Sequence, residues 1–137
     1  MSLFMRSFNS IALCLFLGMT STTALAINAK TGLWEWTTSF KLPGAPADIP
    51  AVEYRSCISS KELVPRPPGN DSCKITSHVI EEDRVDWTLE CTVNEHTYIH
   101  TGNLTYNGTT AMGESQASSN GSAMTMMILG SYIGPCR

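Results

Sequence analysis

The sequence predicts an all-β domain, an antiparallel meander of about seven or eight strands curved into a half-barrel or barrel, with two disulfides and at most one short helical turn. Three observations lead there. Strand-like segments follow one another with only short turns between them, two of those turns being Asn-Gly. Four cysteines stand at scattered positions behind an export signal. The predicted inner face of the later strands alternates aromatic with very small residues, which a flat sheet would not accommodate.

The export signal comes first in the chain. One positive charge, Arg6, precedes an apolar run from Ile11 to Met19, and Ala24-Leu25-Ala26 has the A-x-A form that signal peptidase accepts. Residues 1–26 are therefore expected to be removed, leaving 27–137 as a single disulfide-braced domain in the periplasm or secreted. Cys14, one of five cysteines, leaves with the signal. No second apolar stretch is long enough to span a membrane. Past Ala26 there are eight Lys and Arg against twelve Asp and Glu, a net charge of −4 with no basic block. That balance argues against nucleic acid as a partner.

Gly32 to Leu42 alternates in the period of a strand and turns Trp34 and Trp36 to one face. Pro43 to Pro50 breaks regular structure, and a second strand is expected at Val52 to Ile58. Ser59-Ser60-Lys61-Glu62 has the spacing of a capping box, but Pro65 limits any helix to about one turn. Arg66 to Asp71 reads as loop. Strands are then expected at 73–80, 84–93, 96–106, 109–117 and 122–130, with Asn107-Gly108 and Asn120-Gly121 as type I′ turns that place positive φ at both central residues.

A one-residue slip turns every side chain to the other face, so register can be argued from the residues. Pairing Cys73 with Cys91 also sets Ile75 by Leu89, Ser77 by Trp87 and Val79 by Val85 on one largely apolar face. The next hairpin, turning at Asn94-Glu95, sets Cys91 by Tyr98, Leu89 by His100, Trp87 by Gly102 and Val85 by Leu104, with Gly102 leaving room for the indole. Carried through both Asn-Gly turns, the rows become Leu104/Ala111/Gly130, Gly102/Gly113/Ile128, His100/Ser115/Met126 and Tyr98/Ala117/Met124. Of the three pairings that four cysteines permit, this register selects Cys73 with Cys91, and by subtraction Cys57 with Cys136. The wide spacings suit no zinc site.

Little else in the chain suggests chemistry. His96 and His100, four apart, would stand about 13 Å apart on a strand at ~3.3 Å per residue and cannot share an ion. His78 is expected on the solvent side. Gly113-Glu114-Ser115-Gln116-Ala117 approximates a nucleophile elbow but lies within a meander, and Asp83 and Asp86 fall at a turn and on an outer face. Soft thioethers of Met112, Met124, Met126 and Met127 suit Cu(I), but Met is also the ordinary filler of irregular cores. No catalytic residue, metal or cofactor is assigned from the sequence.

Gly32-Leu33-Trp34-Glu35, Cys57 closing the next strand, Cys73-Lys74 after a proline-rich loop, Cys91 and the terminal Gly134-Pro135-Cys136 together resemble the DUF3617 family of small exported proteobacterial proteins. The resemblance implies a periplasmic domain without catalytic residues to carry over. Ser131-Tyr132-Ile133 departs from the basic residue that many relatives carry before the terminal Gly-x-Cys. A disulfide-braced β sheet without a convergent catalytic set is expected to bind a partner protein or envelope component without turnover. Gly32-x-Trp34 is also similar to the opening of lipocalin-type barrels. That likeness implies the alternative, a small apolar ligand held inside the barrel and lined by Trp34, Trp36, Trp87, Tyr98, Leu104 and Met126.

Overall fold

Seven strands form one antiparallel sheet in the computed structural model, which describes residues 26–41, 44, 49–67 and 72–137. The export signal expected over residues 1–26 lies, apart from Ala26, outside the described residues, as does much of the two proline-containing loops. The strands are β1 (Gly32–Lys41), β2 (Val52–Ile58), β3 (Cys73–Glu81), β4 (Arg84–Val93), β5 (His96–Asn107), β6 (Thr110–Ser119) and β7 (Ser122–Gly134). Their order across the sheet is β2-β1-β7-β6-β5-β4-β3. The first strand thus lies beside the last, and the sheet curls into a half-barrel with β2 and β3 as its edges. β7 runs four residues past its expected end because its last turn of sequence pairs with the start of β1, Tyr132 opposite Trp34.

The concave face carries the core, and it is built around indoles. Trp34 and Trp36, two apart on β1 and both fully buried, stack with centroids 5.5 Å apart, and Tyr106 meets Trp34 edge-on at the same distance. Such offset and edge-on contacts are favoured by the ring quadrupoles. Each indole N–H is satisfied, Trp34 donating to the Lys30 carbonyl at 2.8 Å and Trp36 to the Ser56 hydroxyl at 3.0 Å. Glycines make the space. A Cβ on Gly130 would come within 2.3 Å of the Trp36 ring, and one on Gly102 within 2.4 Å of Trp87. The room expected for the Trp87 indole at Gly102 is therefore present.

After β2, residues 59–67 run beneath the concave face of the sheet. Leu63 and Val64 are buried there, and the Tyr106 hydroxyl donates to the Leu63 carbonyl. Burial raises the Tyr106 phenol well above its ordinary pKa, the neighbouring Tyr54 adding to the shift. The expected capping box folds as a tight turn instead of a helical one. Ser59 and Glu62 exchange both backbone hydrogen bonds, and the Ser59 hydroxyl accepts from the Glu62 N–H as a cap would.

The disulfides join Cys73 to Cys91 and Cys57 to Cys136, with Cα separations of 4.0 and 5.9 Å. The β4–β5 and β6–β7 registers agree with the expected ones, Trp87 opposite Gly102 and Ser115 opposite Met126 among them. Two expected registers are corrected. In β3–β4, Cys73 pairs with Cys91 and Ile75 with Leu89, but a bulge follows. Beyond it Ser77 lies opposite Thr88, His78 opposite Trp87 and Ile80 opposite Val85, so the expected Ser77/Trp87 and Val79/Val85 pairs do not form. The two ends of the hairpin demand different registers. The bridge sets one, while the two-residue loop Glu82-Asp83, closed by Glu81 against Arg84, sets another one residue away. A bulge absorbs that residue, and it puts His78 on the Trp87 side of the sheet, where it is exposed to solvent as expected.

In β5–β6, Tyr106 rather than Leu104 lies opposite Ala111, and Leu104 lies opposite Gly113, a shift of two that preserves the faces but changes the partners. Only Gly108 has positive φ at this turn, so Asn107-Gly108 is not the type I′ pair expected, whereas Asn120 and Gly121 both are positive. The cause is the chain start. Gly108 N–H donates to the Asn28 carbonyl, its carbonyl accepts from Lys30, and the Thr109 carbonyl accepts from Tyr132 N–H, which together hold Gly108 and Thr109 at the loop centre.

A candidate binding hollow on the concave face

The core does not fill the whole concave face. Trp34, Trp36, Leu104 and Tyr106 pack solidly at one end, and toward the other end the face opens into a hollow of about 270 Å³. β1 contributes Thr38 and Phe40, β2 Val52 and Tyr54, β4 Trp87 and Leu89, β7 Met124, Met126 and Ile128. His100 of β5 and Ser115 of β6 complete the sheet wall, and Pro65 and Pro67 of the connection beneath the sheet form the opposite one. The opening follows from local sequence. Along β5 and β6 the inward positions here are Gly102, His100, Ser115 and Ala117, so two adjacent strands offer little side-chain bulk.

Of the residues expected to line an enclosed interior, Trp87 and Met126 border the hollow, and Tyr98 borders a smaller adjoining depression beside Ala117 and Met124. Trp34, Trp36 and Leu104 are fully buried in the packed end. Sequence reasoning did not select Tyr54, Phe40, Pro65 or Pro67. Tyr54 was accessible through parity, since it shares a face with Ile58 on β2, but no periodicity places two prolines of a loop under a sheet.

The polar groups of the hollow are few and neutral. Burial lowers the His100 pKa from its ordinary 6.5, favouring the uncharged imidazole, and its cross-strand neighbours Leu89 and Ala117 carry no charge. Burial pushes the Tyr54 phenol up to about 12, partly offset by a hydrogen bond with the Thr38 side chain. Charges lie elsewhere. Arg55 pairs with Glu35 and Arg84 with Asp86, both at 2.8 Å on exposed surface. Among the described residues, no group of three or more His, Cys, Asp and Glu is placed to hold a metal.

No helix among the described residues is long and apolar enough to cross a membrane, and the two disulfides point to an oxidising, non-cytoplasmic environment. No curated protein and no solved structure matches the chain. A family model does match, over residues 29–136, and its description is protein of unknown function (DUF3617). That span takes in all seven strands and all four bridged cysteines, and the chain belongs to the DUF3617 family.

Proposed function

We propose that the protein is a non-catalytic binding domain of the cell envelope, exported through its cleaved signal, that receives an apolar group of a partner protein or envelope component in the concave hollow. The observation that carries this reading is the hollow's open apolar rim of Met124, Met126, Phe40 and Val52. Methionines adapt their shape to varied apolar surfaces, which suits reception better than turnover. The lining supports binding in a second way. His100 has three hydroxyl residues, Thr38, Tyr54 and Ser115, on the same hollow, but no carboxylate in the lining to orient it as a base.

A protein partner is favoured by the position of β2. This strand forms a sheet edge and places Val52 and Tyr54 on the hollow, so an extended segment laid along it gains backbone hydrogen bonds while directing alternate side chains inward. An apolar ligand wholly enclosed in a barrel is less well supported, since the packed end leaves only part of the interior open.

Capture from envelope extract on the immobilised, disulfide-intact protein tests the reading. Wild type is expected to retain a specific partner, and V52W, which crowds the hollow from the exposed edge strand β2, to lose it while keeping its near-ultraviolet circular dichroism. Equal capture by both proteins, or no specific partner together with reproducible turnover in a hydrolase panel, would overturn it. Amino-terminal sequencing of the exported form is expected to begin at Ile27.

A further inference from the structure

One imidazole and two thioethers border the same hollow, those of His100, Met124 and Met126. The corrected register brings His100 and Met124 into one row. His100 pairs with Ala117, and Ala117 pairs with Met124. Two strand spacings of about 4.8 Å set the backbones of His100 and Met124 about 10 Å apart, with only an alanine methyl between them. The imidazole and the thioether line the same hollow from strands on either side of Ala117. Met126, two residues along β7, projects from the same face. Its row holds Ser115 and Gly102, across which the Trp87 indole lies, so an aromatic ring walls the cluster on the remaining side.

Thioethers are neutral, soft and polarizable, and with one imidazole they make a donor set matched to Cu(I). Hard cations need carboxylate or carbonyl oxygens, and the hollow has no carboxylate in its lining. Zinc favours thiolates, while all four cysteines of the described residues are in disulfides. We infer that His100, Met124 and Met126 form a three-donor site for Cu(I), with Trp87 shielding the ion from water. The inference rests on reading the hollow as the binding face, and it names a soft monovalent metal ion as a ligand of that face. No change of oxidation state is involved.

Anaerobic titration with Cu(I) against a chromogenic Cu(I) chelator tests this. Ascorbate serves as reductant so that both disulfides stay oxidised, and a thiol assay verifies that they do. Wild type is expected to bind one Cu(I) per chain. M124L/M126L removes both sulfurs while conserving apolar volume and is expected to bind at least about tenfold more weakly, the loss that even outer-shell changes at metal sites cause. H100L should fall similarly. M112L/M127L removes as many sulfurs from the exposed convex face and is expected to match wild type. With Ag(I) as the probe, the methyl resonances of Met124 and Met126 should shift and those of Met112 and Met127 should not. Absence of binding by wild type, or equal affinity of wild type and M124L/M126L, would overturn the site. Partner capture is read without added metal and with a copper chelator present, so it does not depend on Cu(I). Failure of the metal site therefore leaves the binding-face reading standing, and loss of capture on crowding the hollow with V52W is judged separately.

Discussion

Single residues decide how much of the concave face is filled. Gly102 and Gly130 each sit beneath an indole, and there is little room to yield, because a Cβ on Gly102 would also come within 2.9 Å of the Ser115 Cβ and Trp36 is stacked on Trp34. G102A and G130A are each expected to lower unfolding free energy by about 1–3 kcal/mol through overpacking, read by urea denaturation. The role of Gly102 was legible in the sequence, since one tight hairpin and the parity of two strands put it opposite Trp87. That of Gly130 was not, because β1 meets β7 from the far end of the chain. His100 provides a pH signature. Its folded pKa lies below the ordinary 6.5, so the unfolded chain binds the proton more readily. Stability is therefore full above that value and falls as pH drops below it toward the depressed folded pKa. H100L is expected to flatten this acid limb in denaturation curves taken between pH 7.5 and 5.

At the scale of elements, hairpins were readable where the turn alone sets the pairing. Asn94-Glu95 and Asn120-Gly121 have positive φ at both central residues, and the registers around them agree with expectation. Reading failed where something beyond the hairpin competes. The β3–β4 bulge reconciles a disulfide with a turn one residue out of step, and the β5–β6 shift follows from hydrogen bonds to Asn28, Lys30 and Tyr132, residues distant in sequence. Local pattern carries no information about such partners. C73S/C91S is expected to free the hairpin from one of its two constraints. Hydrogen exchange at Lys74 to Ser77 should then accelerate more than exchange near Glu81 and Arg84, where the loop still dictates pairing. Uniform acceleration along β3 would show that the loop does not set register independently.

For the whole molecule, the sequence conveyed strand count, curvature and bridge pattern, while the depth of the hollow depended on a connection whose course under the sheet no periodicity reveals. The Cys57–Cys136 bridge joins residues 79 apart in sequence. In the chain-entropy model such a loop restrains the unfolded state by roughly 4 kcal/mol, and C57S/C136S is expected to cost ~2–5 kcal/mol in chemical denaturation. A variant as stable as wild type would show the bridge to be energetically idle. The pairing of β1 with β7 also has a consequence for biogenesis. A chain emerging amino-terminus first presents Trp34 and Trp36 long before Gly130 and Tyr132 exist to cover them. At synthesis rates of about 5–20 residues per second, that leaves an aromatic surface exposed for several seconds. The sheet closes over it only when the final strand is available to pair with β1, so the growing chain carries both indoles uncovered through most of its synthesis.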